Sequence, residues 1–322
     1  MSFGLPRGVF TLSLDFELVW GSRDLEPNTA MLERQCRVTR EQVFSPLLTM
    51  LDDLGIRATW ATVGHLFMAR SRPDVYADQI APTHTWLSQP WFSKIPRGDE
   101  HTSPAWFGRS LVQRLIAAGQ EVGSHSFSHP IFGDPGCSRE TADADLARVV
   151  AEAQELGLKL KSFVFPRNVP GHVDLLRKHG FTCWRPPEPA WYRRAGLPHA
   201  AGRALHLAEV VAAAVPPTVL PSRDEHGLWC VPGSAVFLPA DGIRRVVPIS
   251  RRVQRSQAGT QRAARRREIF HLYIHPINFA SAPGPMLAGF REVLEHAARL
   301  RDRGELDILS MGDIAERCEA QA

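Results

Sequence analysis

Two histidines four residues apart, His125 and His129, stand in the run Gly123-Ser124-His125-Ser126-Phe127-Ser128-His129-Pro130. If this run leaves a strand and begins a helical turn, both imidazoles fall on one side of the backbone and can reach one metal ion. Neutral imidazole is the commonest protein metal ligand and suits zinc or a similar divalent ion. A polar loop with solvated histidines would read the same way, so the rest of the chain has to decide. An apolar run from Val9 to Leu14 delivers Asp15-Phe16-Glu17. In extended chain residues i and i+2 share a face, so Asp15 and Glu17 point one way while Phe16 packs the other. Two carboxylates in an apolar setting are costly without a compensating cation or arginine, which favours a chemical role. Two further apolar runs end in Pro166-Arg167-Asn168 and in His275-Pro276.

These residues need strands to carry them. Strands are expected at 9–14, 56–63, 121–123, 160–165, 181–184, 228–231, 268–274 and 306–309, with helices at 42–54, 104–118, 138–156, 174–180, 208–215 and 286–303 and a short helix from Asp313. Ser138 is a fitting N-cap, and Gly55, Gly119 and Gly180 are fitting stops. Alternation of strand, polar loop and helix implies parallel strands with helices outside, as a barrel or a doubly wound sheet. In a parallel barrel the C-terminal strand ends share one rim, where such enzymes place their chemistry. Asp15 and Glu17, His125 and His129, Arg167 and Asn168, and His275 would then converge. That set suits a metal-assisted hydrolase. A carboxylate and two histidines leave positions open on an ion. A second carboxylate takes a proton from water, a separate histidine protonates a leaving amine, and an arginine holds the base ionised.

Composition narrows the class. The chain has 322 residues, 44% of them hydrophobic and 22% charged, with a net charge of +4, as in ordinary globular proteins. Asp15 and Glu17 interrupt the only apolar stretch near the start, so no signal peptide is expected there. No apolar run is long enough to span a bilayer. Five scattered cysteines without a C-x-x-C pair argue for reduced thiols and a cytosolic compartment. Residues 71–104 form a long irregular stretch carrying Trp86, Trp91 and Phe92, expected to be a lid or a binding loop as readily as a cover for the barrel edge. His65 reads as packed or solvated. Between 186 and 265 the pattern weakens, and nine arginines gather from Arg244 to Arg267. They read first as a solvated loop and helix face, and second as a rim for an anionic substrate or a phosphate-bearing lipid surface. No nucleic-acid recognition motif accompanies them.

Ser13-Leu14-Asp15-Phe16-Glu17, the stretch Gly119 to His129, Phe165-Pro166-Arg167-Asn168 and His271-Leu272-Tyr273-Ile274-His275-Pro276 together resemble the polysaccharide deacetylase family, the NodB-like family 4 carbohydrate esterases. The resemblance runs from residue 8 to about 320. It implies a distorted (β/α) barrel of about seven parallel strands, elaborated by long loops near 71–104 and 186–265, as one domain over 1–322. It also implies a divalent metal, zinc first, and hydrolysis of an acyl group on a sugar. Asp15 matches the base, His125 and His129 metal ligands, Arg167 the residue that steadies the base, and His275 the general acid. Many members have two adjacent aspartates where this chain has Asp15-Phe16. The metal carboxylate is therefore Glu17, with Asp15 as the competing reading. Trp20, Asn168, Arg185 and Asn278 are expected to contact substrate. Without a secretion signal, a cytosolic amino sugar or lipid-linked glycan precursor, anionic through a phosphate, is the expected substrate. Contact with a membrane surface is allowed, and oligomeric state is left open. Deformylation or opening of a cyclic amide would use the same residues. A catalytically weak glycan-binding protein, with Trp86, Trp91 and Trp106 as its platform, is the alternative of another class.

Overall fold

The computed structural model describes residues 4–24, 29–189 and 199–322. Its organising strand is β1 (Gly8–Phe16), every residue of which is buried. A nearly continuous apolar and hydroxyl run is what a strand covered on both faces requires. β1 pairs in parallel with β2 (Thr59–Thr62) on one edge and with β9 (Ile269–Ile274) on the other, while β10 (Leu306–Ile308) lies against its first residues. From β2 the parallel sheet continues through β3 (Glu121–Ser124) and β4 (Ser162–Val164) to β5 (Cys183–Arg185).

The ring closes through a split strand. β7 (Trp229–Cys230) lies parallel on β5, and the amides of Val231 and Gly233 go on donating to the carbonyls of Trp184 and Pro186. The same run then changes neighbour: Ser234 donates to the His271 carbonyl, and β8 (Ala235–Val236) lies parallel on β9. Pro232 has no amide to give a ladder, and a side chain at Gly233 would meet the Tyr273 ring at 3.1 Å. Counting this run once, the strands make a distorted seven-stranded parallel barrel, as expected. Among the described strands β6 (Ser222–Arg223) runs antiparallel, on β7. Two-residue stubs explain why the stretch 186–265 lacked a clear pattern: the closing strand is in it.

Helices cover the outside. The helix expected from 42 begins earlier, as α1 (Thr29–Val38), and passes through a π turn (Thr39–Phe44) into α2 (Ser45–Asp53). α3 (Arg109–Ala117), α4 (Arg139–Gln154) and α5 (Val173–Lys178) follow their strands, and Ser138 caps α4 by accepting from the Thr141 amide. α6 (His199–Val211) starts before the expected 208. α7 (Ile249–Arg266) carries most of the arginines, and two of them depart from the solvated reading. Arg252 is buried and donates to the carbonyls of Val247, Pro239 and Arg244, and Arg255 is buried and donates to that of Ala214. Backbone oxygens left over by the irregular chain receive these guanidiniums, and Glu209 lies 3.9 Å from Arg255. α8 (Pro283–Asp302) and α9 (Met311–Gln321) complete the chain, α9 through a capping box of Ser310 and Asp313. Among the described residues, no helix is long and apolar enough to cross a membrane.

Candidate active site

The histidines sit on a turn fixed from beneath. After β3, the His125 amide still donates to the Thr62 carbonyl at 2.9 Å. Ser126 and His129 then adopt left-handed conformations (φ 67° and 64°), and the Ser126 hydroxyl accepts from the His129 amide at 2.9 Å. Non-glycine residues there store strain that the surroundings must hold. The holder is Asp145 of α4. Its carboxylate accepts from the amides of Phe127 and Ser128 at 2.7 and 2.9 Å and from the Ser128 hydroxyl at 2.8 Å. Burial pushes its pKa up to about 6 despite those bonds.

Both imidazoles face Glu17, which follows β1 directly. Glu17 Oε1 lies 2.8 Å from His125 Nε2 and 3.3 Å from His129 Nε2, with all three side chains buried. His125 Nδ1 is 2.7 Å from the Val164 carbonyl, which can only accept, so Nδ1 carries a proton. Nε2 can therefore face a carboxylate oxygen only with a second proton or with a cation between them. Burial raises the Glu17 pKa, but the charge of His275, the hydrogen bond from His125 and the nearby His129 ring outweigh it and hold the carboxyl well below its usual range. Burial lowers the His125 pKa, and Glu17 overcomes this and raises it. His129 stays below its ordinary value because burial wins, and neither of its ring nitrogens has a hydrogen-bond partner.

Asp15 is held quite differently. Arg185, at the end of β5, crosses the barrel interior and grips both carboxylate oxygens at 2.7 Å. The guanidinium also donates to Ser13 Oγ at 2.7 Å and to Asn168 Oδ1 at 3.0 Å, and it stacks on the Tyr273 ring at 4.4 Å. Ser13 is fixed in turn by His271, whose Nε2 is 2.8 Å from the hydroxyl. Burial drives the His271 pKa down to about 3, so Nε2 accepts from Ser13 while Nδ1–H donates to the Val231 carbonyl. Burial pushes the Asp15 pKa up, but the charges and bonds of Arg185 and His275 bring it below the usual carboxylate value. His275 Nε2 lies 3.5 Å from Asp15 Oδ2 and 3.6 Å from Glu17 Oε1, bridging the two carboxylates from the more open side.

Several expectations are corrected here. Arg167 does not steady Asp15. The Pro166–Asn168 turn puts Arg167 and Asn168 in left-handed conformations (φ 55° and 53°) and sends Arg167 to Asp24 and over the Trp86 ring. Arg185 and Asn168, expected at substrate, are taken up by Asp15 and by Arg185 itself. Trp20 is fully buried, stacked 3.6 Å from His65 and bonded to the Trp106 carbonyl. His65 is packed, between the Phe127 carbonyl and the Tyr76 hydroxyl. Of the tryptophan platform, Trp91 and Trp106 are buried and Trp86 is exposed. Trp91 donates to Ser128 between the two histidines, and Arg23 donates to the Trp91 carbonyl, so the stretch 71–104 is riveted to the histidine turn. Asn278 stands in the Pro276–Phe279 turn after His275 and is partly buried.

Among the described residues, two groups of side chains could hold a metal ion: Glu17 with His125 and His129, and Asp15 with Glu17 and His275, each with ligand atoms within 4.8 Å. In the second, Arg185 already places its charge on both Asp15 oxygens, which opposes an added cation. In the first, the orphaned His129 nitrogens and the His125 Nε2 facing a carboxylate are what a cation would satisfy. The donor set suits zinc or a similar ion.

A parallel barrel with a carboxylate–histidine cluster at the C-terminal strand ends defines a class of hydrolases. Residues 37–184 match the family model described as polysaccharide deacetylase. Solved structures share the fold at low sequence identity. A putative polysaccharide deacetylase from Mycobacterium smegmatis has a TM-score of 0.67 at 15% identity, covering 99% of this chain and 94% of that one. Puue allantoinase has a TM-score of 0.62 at 10% identity, covering 97% and 90%. A probable polysaccharide deacetylase from Pseudomonas aeruginosa PAO1 has a TM-score of 0.62 at 8% identity, covering 97% and 91%. No curated protein matches the chain in sequence.

Proposed function

We propose that the protein is a metal-dependent deacetylase that removes an N-acyl group, acetyl first, from a cytosolic amino sugar or glycan precursor. One observation carries this reading: a single oxygen, Glu17 Oε1, faces two imidazole Nε2 atoms at 2.8 and 3.3 Å, while Asp15 alongside is held apart by the Arg185 guanidinium. Glu17, His125 and His129 would hold the divalent ion, zinc first. When bound, it supplies Lewis acidity for the amide carbonyl and acidifies water. Asp15, kept ionised by Arg185, accepts the water proton at Oδ2, the oxygen nearer His275. His275 returns a proton from Nε2 to the leaving nitrogen. Its Nδ1 has no hydrogen-bond partner and its side chain is partly exposed, on the open side of both carboxylates.

The test is metal analysis of the purified protein joined to an acyl-release screen on nucleotide-linked and lipid-linked N-acetylated amino sugars. Acetate release that needs Asp15 and bound metal supports the reading. Formate release instead would make the protein a deformylase. No release from any sugar, with turnover of a cyclic amide, would replace the sugar by a small amide, a substrate class in keeping with the fold shared with the allantoinase. Glycan binding without turnover, unaltered by Asp15→Ala and His125→Ala, would leave only a binding protein.

A further inference from the structure

The two most exposed large apolar side chains among the described residues lie in one short turn. Ile243 is 72% exposed and Val246 67% exposed, both in the 3₁₀ turn Gly242–Val246. A 3₁₀ helix has three residues per turn, so positions i and i+3 eclipse. Ile243 and Val246 therefore form one apolar edge, and the exposed Arg244 and Arg245 flank it. The turn is firmly mounted. Buried Arg252 donates to the carbonyls of Arg244 and Val247, and Val247 packs with Val210 and Leu238 beneath. Exposed aliphatic side chains on a rigid mount are not a by-product of a loose loop.

Charge tells what would cover the edge. From 241 to 267 the sequence holds nine arginines and a single acid, Asp241. Arg251, Arg262 and Arg265 continue the charge along the outer side of α7, with Arg251 and Arg265 exposed. The turn follows the C-terminal end of β8, the end of the barrel at which Glu17 and His275 leave their strands. An apolar edge set among arginines matches an interfacial contact: aliphatic groups enter the acyl boundary while the guanidiniums meet lipid phosphates. We propose that the Gly242–Val246 turn docks the protein on an anionic phospholipid surface, with the basic face of α7 alongside.

Co-sedimentation of the full chain with vesicles tests this, and it needs no turnover, so it stands apart from the activity reading. Vesicles of phosphatidylcholine with phosphatidylglycerol should bind the protein, and vesicles of phosphatidylcholine alone should not. Binding should weaken as salt is raised, because the lipid-facing charges are screened. The double variants Ile243→Ser with Val246→Ser and Arg244→Gln with Arg245→Gln should each lower partitioning about tenfold or more. Both pairs are exposed, so melting temperatures should stay at the wild-type value; if the apolar pair fails to fold, the arginine pair decides alone. Equal binding to both vesicle types, no binding, or binding unchanged by the variants overturns the proposal. So does a concentration-dependent dimer, dissolved by the serine variant, that shows no lipid binding.

Discussion

Asp15 and Glu17 are two residues apart, equally buried, and built into opposite electrostatic situations. Asp15 has both oxygens matched by one guanidinium, which is itself braced by Ser13, Asn168 and the Tyr273 ring. Glu17 faces three imidazoles, one of which has no hydrogen-bond partner at either nitrogen. A buried charge is tolerated only where something compensates it. At Asp15 the compensation is permanent and made of protein. At Glu17 it is made of groups that hold either protons or a cation. Two carboxylates on one strand end can thus serve as proton acceptor and as metal ligand without exchanging roles.

The strongest way to break this contrast is to neutralise each carboxylate in turn. Asp15→Asn should lower kcat about a thousandfold while bound metal stays stoichiometric. Glu17→Gln should lose the metal itself, read by elemental analysis. A reversed pattern would exchange the two assignments. Next in size is Arg185→Met, which strands a buried carboxylate and should destabilise the fold by about 3–5 kcal/mol in urea unfolding. Asp15 contributes stability above the pKa of an unfolded aspartate and loses it as pH falls through the lower folded value. The Arg185→Met variant should therefore lose this part of its acid sensitivity.

A third measurement concerns protons. Metal binding at Glu17 must displace the proton held on His125, whose pKa is raised above its ordinary 6.5. Affinity for zinc should therefore rise with pH through that raised value and level off above it, with proton release seen by calorimetry in two buffers. His129, lowered by burial, should compete only at more acidic pH. The smallest effect belongs to Arg167. Because it grips Asp24 and not Asp15, Arg167→Lys should change kcat less than about tenfold, the low end for groups outside proton transfer. A loss as large as that of Asp15→Asn would put Arg167 back beside the base.

The sequence made the strand ends legible because apolar runs and the polar residues that stop them are local features. β1, β3, β4 and β9 fall where their runs lie, and Asp15, Glu17, His125, His129 and His275 converge as the barrel rule requires. What was not legible depends on distance across the barrel. Arg185 ends a short buried strand, and nothing in its neighbourhood says that the guanidinium crosses the interior to β1. Its one signal was a charged residue ending a strand that is buried throughout. Arg167 sits in a turn whose left-handed residues reverse the direction expected from an extended strand end. Of the closing strand only the first half, expected at 228–231, was legible, because Pro232 and Gly233 cut off β8 as a stub too short to show a period. Trp20 was judged by its nearness in sequence to Glu17, whereas stacking on His65 decides its place.

The placing of β1 also governs the order in which the molecule can be made. This first strand has as its neighbours β2, close behind it, and β9 and β10, drawn from the last sixth of the chain. During synthesis one edge of β1 must wait for β9 and β10 to be made before it is paired. Long-range pairing of this kind slows folding and leaves an open strand edge in the interval. The barrel is therefore closed only once β9 is made, and a nascent chain lacking β9 would leave the Val9–Leu14 edge of β1 unpaired.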